Sequence, residues 1–223
     1  ILSKQNAFFK NLFNGPDASR AEYRVPDICG DCFWEVLKHI YCDNAKLQVT
    51  NVVGILYAAD QYDLIRLREA CLKFLHACLE INNACYLLVE VRKYGYSEEE
   101  KTILSFIRKN YASVLKTKGM DILTRELLNQ ILTLPGVNID ETVKKEVVDK
   151  WAINVCEDKK QEINEENIMD SLQDCLYVYR DDSASHRYVM DSVTSRNLFE
   201  DRDQPTDLPV PEPVTTKTDD IDG

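Results

Sequence analysis

The sequence predicts a mainly α-helical protein, and three features carry that prediction. Apolar residues recur at intervals of three and four along most of the chain up to residue 180. Capping residues and Gly or Pro breaks punctuate those stretches, and a single short segment reads as strand.

Residues 2–14 (LSKQNAFFKNLFN) set Leu2, Phe8, Phe9, Leu12 and Phe13 around one side of a helix. Gly15-Pro16 ends it, through backbone freedom and the loss of an amide donor. Such an aromatic face needs a partner, so Phe8, Phe9 and Phe13 are expected to drive self-association. Residues 21–25 (AEYRV) read as the short strand, turned by Pro26 and Asp27. Asp31 is the expected cap of a helix whose core-facing stripe is Phe33, Val36, Leu37, Ile40 and Tyr41. Trp34 falls beside that stripe, which makes it a candidate partner contact. Two further helices follow almost back to back. One carries Val52, Ile55, Leu56, Ala59 and Tyr62, and the other Leu64, Leu67, Cys71, Phe74, Leu75 and Cys78. So short a break favours an antiparallel pair.

Asn82 and Asn83 precede a helix with Ala84, Leu87, Leu88 and Val91. Ser97-Glu98-Glu99-Glu100 has the form of a capping box, in which Ser97 accepts from a first-turn amide and Glu100 reaches back. Ile103, Phe106, Ile107 and Tyr111 continue its buried face. Leu123–Leu132 reads as a short helix. Asp140 is then the expected cap of a helix with Val143, Val147, Val148, Trp151 and Val155. Ile168, Leu172, Cys175, Leu176 and Tyr179 give a last one. From Asp181 to Gly223 there are 11 acidic and 4 basic residues and four of the seven prolines, so this tail carries −7 of the net −11. With few apolar residues to repay its ordering entropy, it is expected to be disordered.

Composition narrows the function classes. A chain of 223 residues, 44% hydrophobic and 29% charged, can bury a core in one or two small domains. A net charge of −11 repels phosphate backbones and anionic lipid, so neither nucleic acid nor membrane is the expected partner. No apolar run approaches the length of a membrane-spanning helix, and no secretory leader pattern is present. The eight cysteines lie largely within helical stripes, where thiols behave as small hydrophobes, and suit a reducing compartment such as the cytoplasm or nucleus.

Several stretches resemble the BTB (POZ) domain. FFKNLFNG is similar to the helix before that family's variable loop, VPDI with Phe33 and Tyr41 to its third helix, and LYAADQYDLIRLREACLKFL to its closing helical pair. Beyond them, NNACYLLVEVRKYG and NIDETVKKEVVDKWA resemble the helical BACK domain that commonly follows. The resemblance implies the C-terminal part of a BTB α/β fold at residues 1–80, an all-helical BACK domain at 81–180 and the tail at 181–223. Within BTB-BACK proteins, VPDI, LYAA and CLEINNACYLL look most similar to the group bearing a C-terminal PHR β-sandwich. No PHR-like stretch is seen, and the family's opening strand-helix-strand lacks a counterpart, as in a chain truncated at its start.

The resemblance implies a non-enzymatic adaptor that dimerises through its BTB domain and bridges a protein substrate to a cullin-3 ubiquitin ligase. Its cullin grip often includes a hydrophobic-x-Glu element. Here the matching positions are Asp17, Ala18 and Ser19, while Tyr41 and Asp43 remain suitable contact residues. A scaffold or competitor that recruits no cullin is the alternative.

Sharper chemistry is weighed against this. Cys29-Gly30-Asp31-Cys32 has the C-x-x-C form of a redox dithiol, which would make the chain a thiol oxidoreductase, yet the β-α-β context of such enzymes is lacking. With His39 and Cys42 the pair could ligate zinc, but structural sites usually draw paired ligands from two elements. His76 and His186 stand apart from any nucleophile motif. No catalytic residue, cofactor or metal is expected. Trp151 sits within an apolar stripe and reads as core.

Overall fold

Helices account for nearly all the regular structure. The computed structural model describes residues 7–15, 22, 25, 27–137 and 140–172. The helices are α1 (Ala7–Asn14), α2 (Gly30–Cys42), α3 (Val52–Gln61), α4 (Ile65–Ala77), α5 (Ala84–Lys93), α6 (Ser97–Lys109), α7 (Tyr111–Val114), α8 (Arg125–Leu132), α9 (Glu141–Asp158) and α10 (Glu165–Leu172). A 3-10 turn, Lys118–Ile122, lies between α7 and α8. No strand forms among the described residues, and of the expected strand only Glu22 and Val25 are described. Cys175, Leu176, Tyr179 and the acidic tail also lie outside the described residues.

The described residues divide into two units, those from 7 to 79 with 93–95, and 80–92 with those from 96 to 172. In the first, α3 packs on α4 and α2 packs on α3. Val36 of α2, Val52, Ile55, Leu56, Ala58 and Ala59 of α3, and Leu67, Cys71 and Leu75 of α4 are its core. These follow the stripes expected from the sequence, except that in α2 Phe33 and Leu37 are only half-buried and Tyr41 faces out. Burying each such aliphatic side chain contributes about 1.5–3 kcal/mol. The turn between α3 and α4 depends on Asp63, which takes a left-handed φ of 54°, a conformation Asp tolerates better than most residues. Gly54 lets α2 approach α3 closely, since a Cβ there would lie 2.7 Å from Cys32 Sγ.

In the second unit, α9 packs on α10 and on the 3-10 turn, and α6 contacts α7 and α8. Its core includes Leu87, Leu88 and Val91 of α5, Ile103 and Ile107 of α6, Leu127, Leu128 and Ile131 of α8, and Val148 and Ala152 of α9. Tyr111, expected to extend the α6 stripe, is buried from the separate turn of α7 instead.

Two expected caps are corrected. Helix α2 is capped by Cys29, whose Sγ accepts from the Cys32 amide at 3.3 Å, with Asp31 one residue inside the first turn. Ser97 is the first residue of α6, and Tyr96 occupies the cap position without a side-chain capping bond, so the capping box does not form. Asp140 caps α9 as expected, accepting from the Thr142 amide at 3.0 Å.

Candidate protein-interaction surface

The outer face of α2 follows from its helical register. With Val36 and Ile40 turned into the core, Trp34 and Tyr41, seven residues and two turns apart, share a face directed away from it. Trp34 is 59% exposed and Tyr41 49%. An exposed Trp forgoes about as much burial energy as any side chain can supply, and aromatic anchors of this kind are enriched where partners bind.

Past Tyr41 the helix ends at Asp43, in a left-handed conformation with φ 50°, its amide donating to the His39 carbonyl at 2.8 Å. The Asp43 carboxylate lies 3.5 Å from His39 Nδ1 and 3.9 Å from Arg66 Nη1, at the start of α4. Burial holds His39 below its usual pKa; Asp43 pulls the other way and Arg66 adds to the lowering. His39 is therefore neutral near pH 7, and its contact with Asp43 is a polar contact rather than an ion pair. Ile65, beside Arg66, is 63% exposed. Tyr41, Asp43, Ile65 and Arg66 thus join the end of α2 to the start of α4 in one mixed apolar and charged patch.

Glu35, which the sequence reading did not single out, fixes the segment after α2. Its two carboxylate oxygens accept from Lys46 N and Lys38 Nζ, each at 2.7 Å. That bond to Lys46 steadies the stretch that puts Ala45 and Leu47 into the core. Asn51 completes the turn, accepting from Gln48 N at 2.8 Å and donating to the Lys46 carbonyl at 3.1 Å.

At α1, Phe9 is buried and stacks on Tyr62 with ring centroids 5.2 Å apart, while Phe8 lies edge-on to Tyr62 at 4.8 Å. Phe33 approaches the same ring at 5.9 Å. Phe9 is thus partnered within the chain, and Phe8, 42% exposed, is the ring of this pair that faces outward. The side chain of Phe13, and Asp17, Ala18 and Ser19 entirely, lie outside the described residues.

Among the described residues no three His, Cys, Asp or Glu side chains are grouped to hold a metal ion. Cys29 and Cys42 are exposed and Cys32 is buried. No described helix is long and apolar enough to cross a membrane.

Residues 1–79 match the family model for the BTB/POZ domain. The chain is 30% identical over 181 residues to human BTB/POZ domain-containing protein 6, covering 81% of this chain and 34% of that protein. Human BTB/POZ domain-containing protein 3 is also 30% identical over 181 residues, with 81% and 35% covered, and protein 6 of Xenopus tropicalis is similar to the same degree. The chain spans about a third of the length of these curated relatives. Residues 1–79 are thus a BTB/POZ domain.

Proposed function

We propose that this chain, through the BTB/POZ domain of residues 1–79, serves as a protein-interaction adaptor that recruits cullin-3 and brings it a protein substrate. BTB domains are generally non-enzymatic modules for dimerisation and partner binding. The observation that carries the reading is the outward Trp34–Tyr41 face of α2, continued by Asp43, Ile65 and Arg66. Large exposed side chains beside a small set of charges are what a partner-binding surface needs. Residues 81–180 act in this reading as a BACK-type helical module, supported by the buried Ala84, Cys85, Leu87 and Leu88 of the NNACYLL stretch. Phe8 contributes to self-association. The same reading puts the protein in the cytoplasm or nucleus, where buried thiols such as Cys71 and Cys85 stay reduced.

Titration calorimetry of the chain against the N-terminal region of cullin-3 tests it. Trp34→Ala and Tyr41→Ala should each weaken binding about tenfold or more while leaving the helical circular dichroism unchanged. The Asp17 carboxylate opposes insertion where the family places an apolar side chain, so Asp17→Leu with Ser19→Glu should tighten binding. A chain that binds no cullin-3 with or without the double replacement is instead a BTB scaffold or competitor. Indifference of a measured affinity to both Trp34 and Tyr41 removes the α2 face from the reading.

A further inference from the structure

The first turn of α2 holds two thiols of opposite exposure within reach of one another. Cys29 is exposed at the cap, and its Sγ sits 3.3 Å from the backbone nitrogen of Cys32. Cys32 is buried, its Sγ 3.8 Å from the Asn51 carbonyl at the entry to α3. Cys29 is extended (φ −63°, ψ 147°) and folds its side chain back over the turn. Cys29 Sγ is thus held over the same turn that carries Cys32. Between them lie only Gly30 and Asp31, and Gly30 has no neighbouring atom within 4 Å of where a Cβ would stand. Of the other described thiols, Cys71 lies near enough to Cys32 to feel its charge, but it is buried, and burial pushes both it and Cys85 to about 12; Cys78 and Cys156 are buried, and Cys42 is exposed at the far end of α2.

We propose that Cys29 and Cys32 form a reversible dithiol–disulfide pair, oxidised by small-molecule disulfides such as glutathione disulfide. The Cys29 thiolate attacks one sulfur of the small disulfide, forming a mixed disulfide and releasing one small thiolate. The Cys32 thiolate then attacks the Cys29 sulfur, closing the protein disulfide and releasing the second small thiolate. One disulfide is reduced to two thiols, two protein thiols are oxidised, and their two protons pass through solvent to the departing thiolates. Closure draws Cys32 Sγ away from the Asn51 carbonyl and from its seat against Gly54. The bond therefore loosens the contact of α2 with α3, two residues before Trp34.

The test incubates the full chain with glutathione disulfide and glutathione in varied ratio, quenches with acid, alkylates and reads peptide masses. The peptide spanning residues 25–38 should appear two hydrogens lighter and unalkylated, and glutathione in excess should restore it. Cys32→Ala should stop at a glutathione adduct on Cys29, Cys29→Ser should give neither product, and Cys42→Ser should behave as the unaltered chain. Because Cys29 is exposed, Cys29→Ser tests the pair even if Cys32→Ala folds poorly. A peptide that remains doubly alkylated at every ratio, a persistent glutathione adduct in the unaltered chain, or a link from Cys29 to Cys42 would each overturn the proposal.

Discussion

The two units of this chain treat the same residue in opposite ways. In the first, Trp34 stands on α2 with 59% of its surface open; in the second, Trp151 on α9 is 4% exposed and its Nε1 donates to the Leu123 carbonyl at 2.9 Å. A buried indole needs that acceptor, because an unpaired donor in the interior costs 1–3 kcal/mol or so. An exposed one needs none, since water serves. The first unit therefore leaves its largest aromatic free of structural duty, whereas the second commits its own to holding the segment before α8 against α9. Exposed large apolar side chains follow the same division: Phe8, Trp34, Tyr41 and Ile65 lie in the first unit, against Ile122 in the second, among the described residues.

The sharpest way to break this contrast is to truncate both tryptophans. Trp151→Ala should destabilise the protein by about 3–5 kcal/mol, through the cavity and the orphaned Leu123 carbonyl together. Trp34→Ala should change stability by less than about 0.5 kcal/mol. Denaturant titration followed by circular dichroism decides it, and comparable losses in the two variants would mean that Trp34 is structural.

Polar groups inside the second unit give the next largest effect. Asp149 on α9 is 4% exposed, neither carboxylate oxygen has a hydrogen-bond partner, and burial pushes its pKa up to about 6, with Lys145 lowering and Glu146 raising it. The unfolded chain releases that proton near pH 4. Folding is thus favoured fully below about pH 4, where both states are protonated, and stability is lost as pH rises towards 6. Asp149→Asn should flatten that loss and stabilise the protein at pH 7.5 by on the order of 2 kcal/mol. Denaturation midpoints measured from pH 4 to 8 test this, and a variant that retains the slope would assign it to another group.

Much of the helical framework was legible in the sequence because burial imposes a period that single residues cannot disguise. Val52, Ile55, Leu56 and Ala59, or Leu87, Leu88 and Val91, occupy one helical face and are buried. What escaped depends on partners distant in sequence or on fine backbone geometry. Nothing near Glu35 announces that its carboxylate will accept from Lys46, eleven residues on. Ser97 has the right chemistry for a cap, yet the helix starts one residue early for it, at a junction where Tyr96 N already donates to the Val91 carbonyl. The short turns at Tyr111–Val114 and Lys118–Ile122 lack enough length to show any period. Of the candidate surface, Trp34 was readable from its position beside the stripe. Tyr41 fits the stripe by spacing but lies outside the core, because Ile40 fills the inward position. Ile65 and Arg66 entered only through the approach of Arg66 to Asp43 at 3.9 Å.

A smaller effect is expected where the first unit does spend a buried charge. Glu35, on the same helix as Trp34, is satisfied on both oxygens, unlike Asp149. Glu35→Ala should cost about 1–3 kcal/mol by orphaning the Lys46 amide and loosening the segment that carries Ala45 and Leu47 inward. Amide exchange at Lys46 and Leu47 should quicken in step. Unchanged exchange there would show that the carboxylate is not what holds the segment.

The smallest effect concerns how the two units begin their helices. In the second, α8 and α9 are capped by Thr124 and Asp140, oxygen acceptors of the preferred kinds. In the first, α2 starts on the Cys29 thiol, a weaker acceptor reaching the Cys32 amide at 3.3 Å. Cys29→Ser replaces that sulfur with an oxygen of the type favoured at this position, so it should stabilise the reduced protein by about 0.5 kcal/mol. A thermal melt under reducing conditions measures it. The same substitution abolishes the dithiol chemistry proposed for this turn, so stability and redox response should move in opposite directions in one variant. If Cys29→Ser destabilises the reduced chain instead, the thiol contributes packing that an oxygen cannot replace, and the contrast between the caps of the two units would reflect fit rather than a concession to chemistry.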